Sequence, residues 1–182
     1  MKKLGIVIPC FNERKSLEEL ISRLEDPTIS WVDFLLVDNG SSDGTQRYFT
    51  SVLPRGNIRF IHLEENQGYG GGIQKGIEML ENEYVGWIHA DLQIDPVELG
   101  KFLQHIDNGV DFIKGRRRGR TFSEKFFTAS MSIIVSLVLQ KRLIDINAQP
   151  TIIKRQHFPD ETKLPKDFAL DLCLYAYSRK NG

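Results

Sequence analysis

Apolar and polar positions along this chain sort into short runs and longer periodic stretches. Leu4–Ile8, Phe34–Val37, Ile58–His62 and Val85–Ile88 are short runs rich in β-branched, aromatic and leucine side chains, which predicts buried strands. Between them, residues 15–24, 44–52 and 70–81 repeat apolar positions at the helical period. Val110–Ile113 predicts a fifth strand. Strand and helix in alternation predict an α/β fold with a mainly parallel sheet. Right-handed crossovers then line up the carboxyl ends of the strands along one edge, where ligands of such sheets bind.

Composition narrows the picture. The 182 residues suffice for one domain with a sizeable core. Lys plus Arg equals Asp plus Glu at 24 each, which excludes a wholly basic nucleic-acid binder. Cys10 and Cys173 have no metal-ligand spacing and read as reduced thiols of a cytosolic protein. The start, MKKLGIVIPCFNE, has an apolar run too short for a signal peptide. The longest apolar stretch lies at 126–139, inside a helical pattern over 122–139. Fourteen residues rise about 21 Å, short of the roughly 30 Å of a bilayer core. That helix reads either as core or as lying at a membrane interface.

The predicted strands all end in polar side chains. Pro9, Cys10, Phe11, Asn12 and Glu13 follow the first, and Asp38 to Gly44 the second. Glu64 to Gly68 follow the third, and His89, Ala90, Asp91, Leu92 and Gln93 the fourth. Four such ends on one edge predict a binding site. Asp38 directly follows a buried run, so its carboxylate is expected to face the crevice. Ser42 and Asp43 are expected to cap the helix that begins near Gly44. NQGYGGGIQKGI, 66–77, matches neither a Walker motif nor a dinucleotide fingerprint. It reads either as a glycine-permitted turn packed on the sheet or as a close backbone approach to a nucleotide. Asp91 and Gln93 stand two apart, on one face of extended backbone, and a carboxylate with an amide oxygen suits a hard divalent cation. His89 falls on the same face by the same spacing. Asp95, before Pro96, is the better helix cap, which leaves Asp91 for other work. KGRRRGR, 114–120, puts five cations in seven residues, read as a solvated run or as an anion-binding loop on the same edge.

VIPCFNE, LLVDNGSSDGT, NQGYGGGIQKGI and HADLQIDP, in that order, resemble family 2 glycosyltransferases of the GT-A fold. The likeness is to the branch containing dolichyl- and polyprenyl-phosphate sugar synthases. It runs strongly over residues 3–155 and weakly over 156–182. The resemblance implies a Rossmann-like, mainly parallel sheet flanked by helices, forming one GT-A domain over 1–182. Residues 1–95 would be its nucleotide-sugar half and 96–182 its acceptor half. It implies that Pro9, Phe11, Glu13, Asp38, Gly68, His89 and Ala90 bind the nucleotide. Asp91 and Gln93 fall on the positions that hold Mg²⁺ or Mn²⁺ on the donor diphosphate. Asp91, Arg117 and Asp145 are the implied catalytic set. Arg117, in the family's Gly-x-Arg, would meet the diphosphate or an acceptor phosphate, and Asp145 is a candidate base, with Gln149 shaping the acceptor side.

The implied reaction is an inverting sugar transfer from a UDP- or GDP-sugar to a polyprenyl phosphate or cell-envelope glycan precursor. The partners are then that donor and acceptor, a membrane surface met by the remaining arginines, and no nucleic acid. The implied location is cytoplasmic, peripheral on the cytoplasmic face of the membrane. Three departures stand out: His89 and Asn39 each replace a family Asp, and Gln149-Pro150 replaces Ser-Gly. His89 is expected either to ligate Mn²⁺ or to hydrogen-bond the nucleotide without touching metal. FALDLCLYAYSRKNG resembles the family's late helix, with Asp171 inside it; the chain then stops where relatives add a strand, so either a truncated C-terminus or a short natural form is expected. Two rival readings are a non-catalytic nucleotide-sugar binder and a sugar-phosphate nucleotidyltransferase. The second expects a Gly-rich loop with Arg after the first strand, and PCFNERK has none.

Overall fold

The computed structural model describes residues 2–116 and 148–181. The predicted 122–139 helix lies outside them, as do Arg117 and Asp145. The described residues build one six-stranded sheet in the order β3-β2-β1-β4-β6-β5. The strands are β1 (Leu4–Cys10), β2 (Val32–Asn39), β3 (Ile58–Leu63), β4 (Tyr84–Trp87), β5 (Phe112–Lys114) and β6 (Thr151–Lys154). β1 to β4 pair in parallel, as the alternating pattern requires. β6 runs antiparallel between β4 and β5 and had no counterpart in the sequence reading. Its four residues, TIIK, lack the length or alternation that marks a strand locally. Pairing on both sides buries Thr151, Ile152 and Ile153 and makes it one.

Period two along the strands divides the core into two layers. Leu4, Ile6, Ile8, Phe34, Leu36 and Ile58 face α1 (Leu17–Leu24) and α2 (Thr45–Val52). In α1, Leu17, Leu20, Ile21 and Leu24 recur at the helical period and are the residues it buries. On the other face, Val7, Leu35, Val37, Val85 and Trp87 meet α3 (Gly68–Glu78) and a late helix. A Cβ on Gly76 would stand 2.5 Å from Val7 Cγ1, so only glycine lets α3 lie this close to the sheet. The guanidinium of Arg155 donates to the carbonyls of Ile77, Leu80 and Asn82 and satisfies the end of α3.

Asp95 caps the next element as expected: its carboxylate accepts from Val97 N–H at 3.1 Å, and Pro96 opens a 3₁₀ turn over Pro96–Phe102. That turn continues into the short α4 (Leu103–Asp107). The late helix, α5 (Ala169–Asn181), places Leu170 and Leu174 against the second face.

Candidate active site

The carboxyl ends of β1, β2 and β3 form one end of the site. Register aligns Cys10, Asp38 and His62 in a row across the three strands. Asp38 is fully buried, contrary to the expectation that its carboxylate opens to the crevice. His62, from the adjacent strand, places Nδ1 2.9 Å from one carboxylate oxygen, and Ser41 N–H donates to the other at 3.1 Å. Burial, then the Asp38 charge, push the Cys10 thiol well above its ordinary pKa, so it is an inert core side chain.

Two loops are stitched together beside this row. Asn12 N–H donates to Ser41 Oγ at 2.9 Å, and Ser42 N–H returns a bond to Asn12 Oδ1 at 2.9 Å. Asp43 accepts from Thr45 N–H at 3.0 Å and from Arg14 N–H at 2.8 Å, so it ties the α2 start to the β1 loop. Ser42 takes no part in capping α2. Pro9 lies in β1 opposite Val37, and Phe11 stays half exposed. Glu13 accepts from the Ser16 hydroxyl at 3.0 Å at the entrance to α1.

Asn39 accounts for one departure from the family pattern. Its amide nitrogen donates to Gly68 carbonyl at 2.9 Å and to Asn66 Oδ1 at 3.2 Å, while its oxygen accepts from Gln67 N–H at 2.9 Å. A carboxylate supplies no donor for the first two. The glycines beyond it let this chain's own backbone approach closely. A Cβ on Gly68 would lie 2.5 Å from Lys166 carbonyl oxygen, and one on Gly70 2.5 Å from that of Pro165. The close approach that requires glycine at 68 is therefore made by the 165–167 backbone.

Asp91 and Gln93 do come together, but not along extended backbone. Residues 90–91 form a turn, and Leu92 adopts a left-handed φ of 58°. That geometry folds Gln93 back so that its amide nitrogen donates to Asp91 Oδ2 at 2.7 Å and its N–H to Oδ1 at 3.1 Å. Both side chains are exposed, while Ala90 is buried beneath them. Among the described residues no three His, Cys, Asp or Glu side chains converge on a metal position. One exposed carboxylate, with an amide oxygen available on rotation of Gln93, fits an ion completed by substrate phosphates.

His89 turns the other way. Its ring stacks on Tyr69, with centroids 5.4 Å apart, and Nε2 lies 3.4 Å from the Tyr69 hydroxyl. That hydroxyl donates to Asp171 Oδ2 at 3.1 Å and accepts from Gln149 at 3.0 Å. Asp171 Oδ1 in turn accepts from Lys114 at 2.7 Å and Thr151 at 3.0 Å. Burial, then the Asp171 charge, raise the Tyr69 pKa far above its ordinary value, so the phenol stays protonated. Lys114, read from sequence as part of a solvated or anion-binding run, is instead buried in an ion pair.

A family model for glycosyl transferase family 2 matches residues 5–162. The chain belongs to glycosyl transferase family 2. Undecaprenyl-phosphate 4-deoxy-4-formamido-L-arabinose transferase of Salmonella choleraesuis (strain SC-B67) is 31% identical over 147 residues, 78% of this chain and 44% of that protein. This family 2 chain thus spans less than half the length of that relative. Glucosyl-3-phosphoglycerate synthase of Mycobacterium tuberculosis, solved with Mn²⁺, UDP-glucose and phosphoglyceric acid, matches with a TM-score of 0.68 at 19% identity. The match covers 98% of this chain and 66% of that one. S. aureus TarS 1–349 matches at 0.64 and 22% identity, over 97% and 55% of the two chains. These two likenesses establish the fold, which is GT-A.

Sequence reasoning overlooked His62, Tyr69, Lys114 and Thr151 as members of the site. His62 shares a strand face with Ile58 and Phe60, so its parity was readable; its partner was not.

Proposed function

We propose that this family 2 chain transfers a sugar, with inversion, from a nucleotide diphosphate donor to a polyprenyl phosphate. The carrying observation is the exposed Asp91 turn at the end of β4, where the strand order reverses beside β1. The names of the Salmonella relatives support a lipid-phosphate acceptor. Residues 1–95 hold the donor and 96–182 the acceptor. Asp91 and the Gln93 amide oxygen hold Mg²⁺ or Mn²⁺ against the donor diphosphate. The bound ion supplies charge neutralisation of the leaving diphosphate. An acceptor oxygen attacks the anomeric carbon from the face opposite the diphosphate; the carbon–oxygen bond to the diphosphate breaks, and the nucleoside diphosphate leaves. A phosphate acceptor is already anionic near neutral pH and asks for no general base. On the family pattern Arg117 meets the leaving diphosphate or an acceptor phosphate, and Asp145 lies on the acceptor side as the candidate base.

Among the described residues no helix is long and apolar enough to cross a membrane. A lipid acceptor would bring the domain to the cytoplasmic membrane face, with the 116–120 arginines against anionic headgroups.

Thermal unfolding with UDP, GDP, CMP and dTDP, each with and without Mn²⁺ or Mg²⁺, tests the donor site. A nucleotide at 100 times its Kd stabilises the folded state by about 2.7 kcal/mol. The expected result is a metal-dependent shift with one nucleotide that Asp91→Ala abolishes. No shift with any of the four overturns the reading.

A further inference from the structure

Asp38 and His62 form a pair whose hydrogen-bond direction follows once the carboxylate is ionised. The Asp38 carboxylate, fully buried, is acceptor-only when ionised and already takes Ser41 N–H on Oδ1. The bond to His62 at 2.9 Å therefore requires the proton on Nδ1. In the neutral ring Nε2 then carries the lone pair. Nε2 has no hydrogen-bond partner among the described residues, and it is not one of the buried unpaired atoms. The His62 side chain is 26% exposed, so it offers an oriented acceptor at the end of β3.

We infer that His62 reads the base of the donor nucleotide, accepting the imino N–H of uracil or guanine through Nε2. This rests on the donor-site reading above. The placement follows from the sheet. β3 lies three strands from β4, about 14 Å at the usual strand spacing. A nucleoside diphosphate with its phosphates at Asp91 reaches that far along the edge when extended. The half-exposed Phe11 ring, after β1, lies between the two ends and offers the base an apolar surface. Cytosine presents an acceptor where uracil and guanine present the imino N–H. Against Nε2 it leaves two acceptors facing each other, so a cytidine nucleotide is disfavoured by about tenfold or more.

His62→Asn separates the roles, because its amide N–H can still reach Asp38 while the Nε2 acceptor is gone. Calorimetric titration of UDP, GDP and CDP with Mn²⁺ at about pH 8.5, well above the ordinary imidazole pKa, is the binding test. Wild type is expected to favour UDP or GDP over CDP by about tenfold or more. His62→Asn is expected to melt like wild type and bring that ratio near one. Nitrogen-15 spectra of the nucleotide-free protein read the tautomer directly, with the His62 ring signal assigned in the wild-type protein by through-bond correlation to its own backbone. A neutral Nδ1–H ring, the minor form of a free histidine side chain, is expected. An Nε2–H ring or an imidazolium at that pH overturns the inference even if His62→Asn fails to fold. Equal binding of UDP and CDP by wild type, or selectivity retained in the variant, overturns base reading and leaves the donor site standing. Absence of all nucleotide binding overturns both.

Discussion

The two ends of the sheet's carboxyl edge are built by different means. At the β1–β3 end, each polar group sits in the last residues of its own strand or a few residues past it, and its partners come from a neighbouring βα unit. Asn12 meets Ser41 and Ser42, Arg14 meets Asp43, and Asp38 meets His62. At the β4–β6 end, Tyr69, Lys114, Gln149 with Thr151, and Asp171 come from four separate stretches; Tyr69, Lys114 and Thr151 close on the buried Asp171 carboxylate, with Gln149 on the Tyr69 hydroxyl. Apart from the bonds to the buried Asp38, the first end is stitched at or near the surface; the second is held by an ion pair out of water. An exposed pair gains little in net stability, whereas breaking a buried one strands an uncompensated charge. The β4–β6 end should thus govern whether the domain folds. The β1–β3 end and the Asp91 turn should govern what it binds.

The strongest challenge to that division is Lys114→Ala, which leaves Asp171 charged and buried without its cation. It should cost about 3–5 kcal/mol in denaturant unfolding. The double change Lys114→Met with Asp171→Leu should recover most of the loss, because two apolar groups leave no stranded charge. A small effect for the single variant would mean the pair is not desolvated in solution.

Next in size is Asn39→Asp, which restores the family's usual residue. Because the carboxylate has no proton for Gly68 carbonyl or Asn66 Oδ1, it should cost about 1–3 kcal/mol. An unchanged denaturation midpoint would show that the amide is not what joins β2 to the α3 loop.

Asp91→Asn inverts the pattern. The side chain is exposed, so stability should move by no more than about 0.5 kcal/mol. Affinity for the nucleotide with Mn²⁺ should fall at least about tenfold. A variant that binds as wild type does would take Asp91 out of the metal site.

The smallest effect belongs to Asp43. Burial alone would raise its pKa, but the Thr45 hydroxyl and the Thr45 and Arg14 N–H groups outweigh that and hold it below the ordinary carboxylate value. A depressed folded pKa means its contribution is present above the unfolded value of 3.8 and is lost as pH falls through the lower folded one. Asp43→Ala should cost about 1 kcal/mol near pH 7, and the gap to wild type should close as pH falls through the lowered folded value. A gap constant with pH would assign the loss to packing instead.

Asp95 was identified as a cap because Asp-Pro at a helix start acts within two residues. Asp91 and Gln93 were paired correctly for the wrong geometric reason, since nothing in ADLQ announces that Leu92 takes a left-handed turn. Asp38 was expected to face a ligand because a strand-end carboxylate usually does; the neighbouring strand supplies a histidine in register, and that register is a long-range fact. The glycines of 66–77 left two readings open, and the partner that covers Gly68 and Gly70 lies about a hundred residues further on.

By itself, the sequence determined the parallel strands β1 to β4, the helices between them and the polar edge they share. Burial period and turn chemistry act over a few neighbouring residues, so they leave a local trace. Tertiary structure alone decided the antiparallel insertion of β6, the burial of Lys114 against Asp171 and the seating of His62 on Asp38. Each depends on side chains tens of residues apart meeting out of water, where a hydrogen bond or charge is satisfied by geometry rather than by any pattern along the chain.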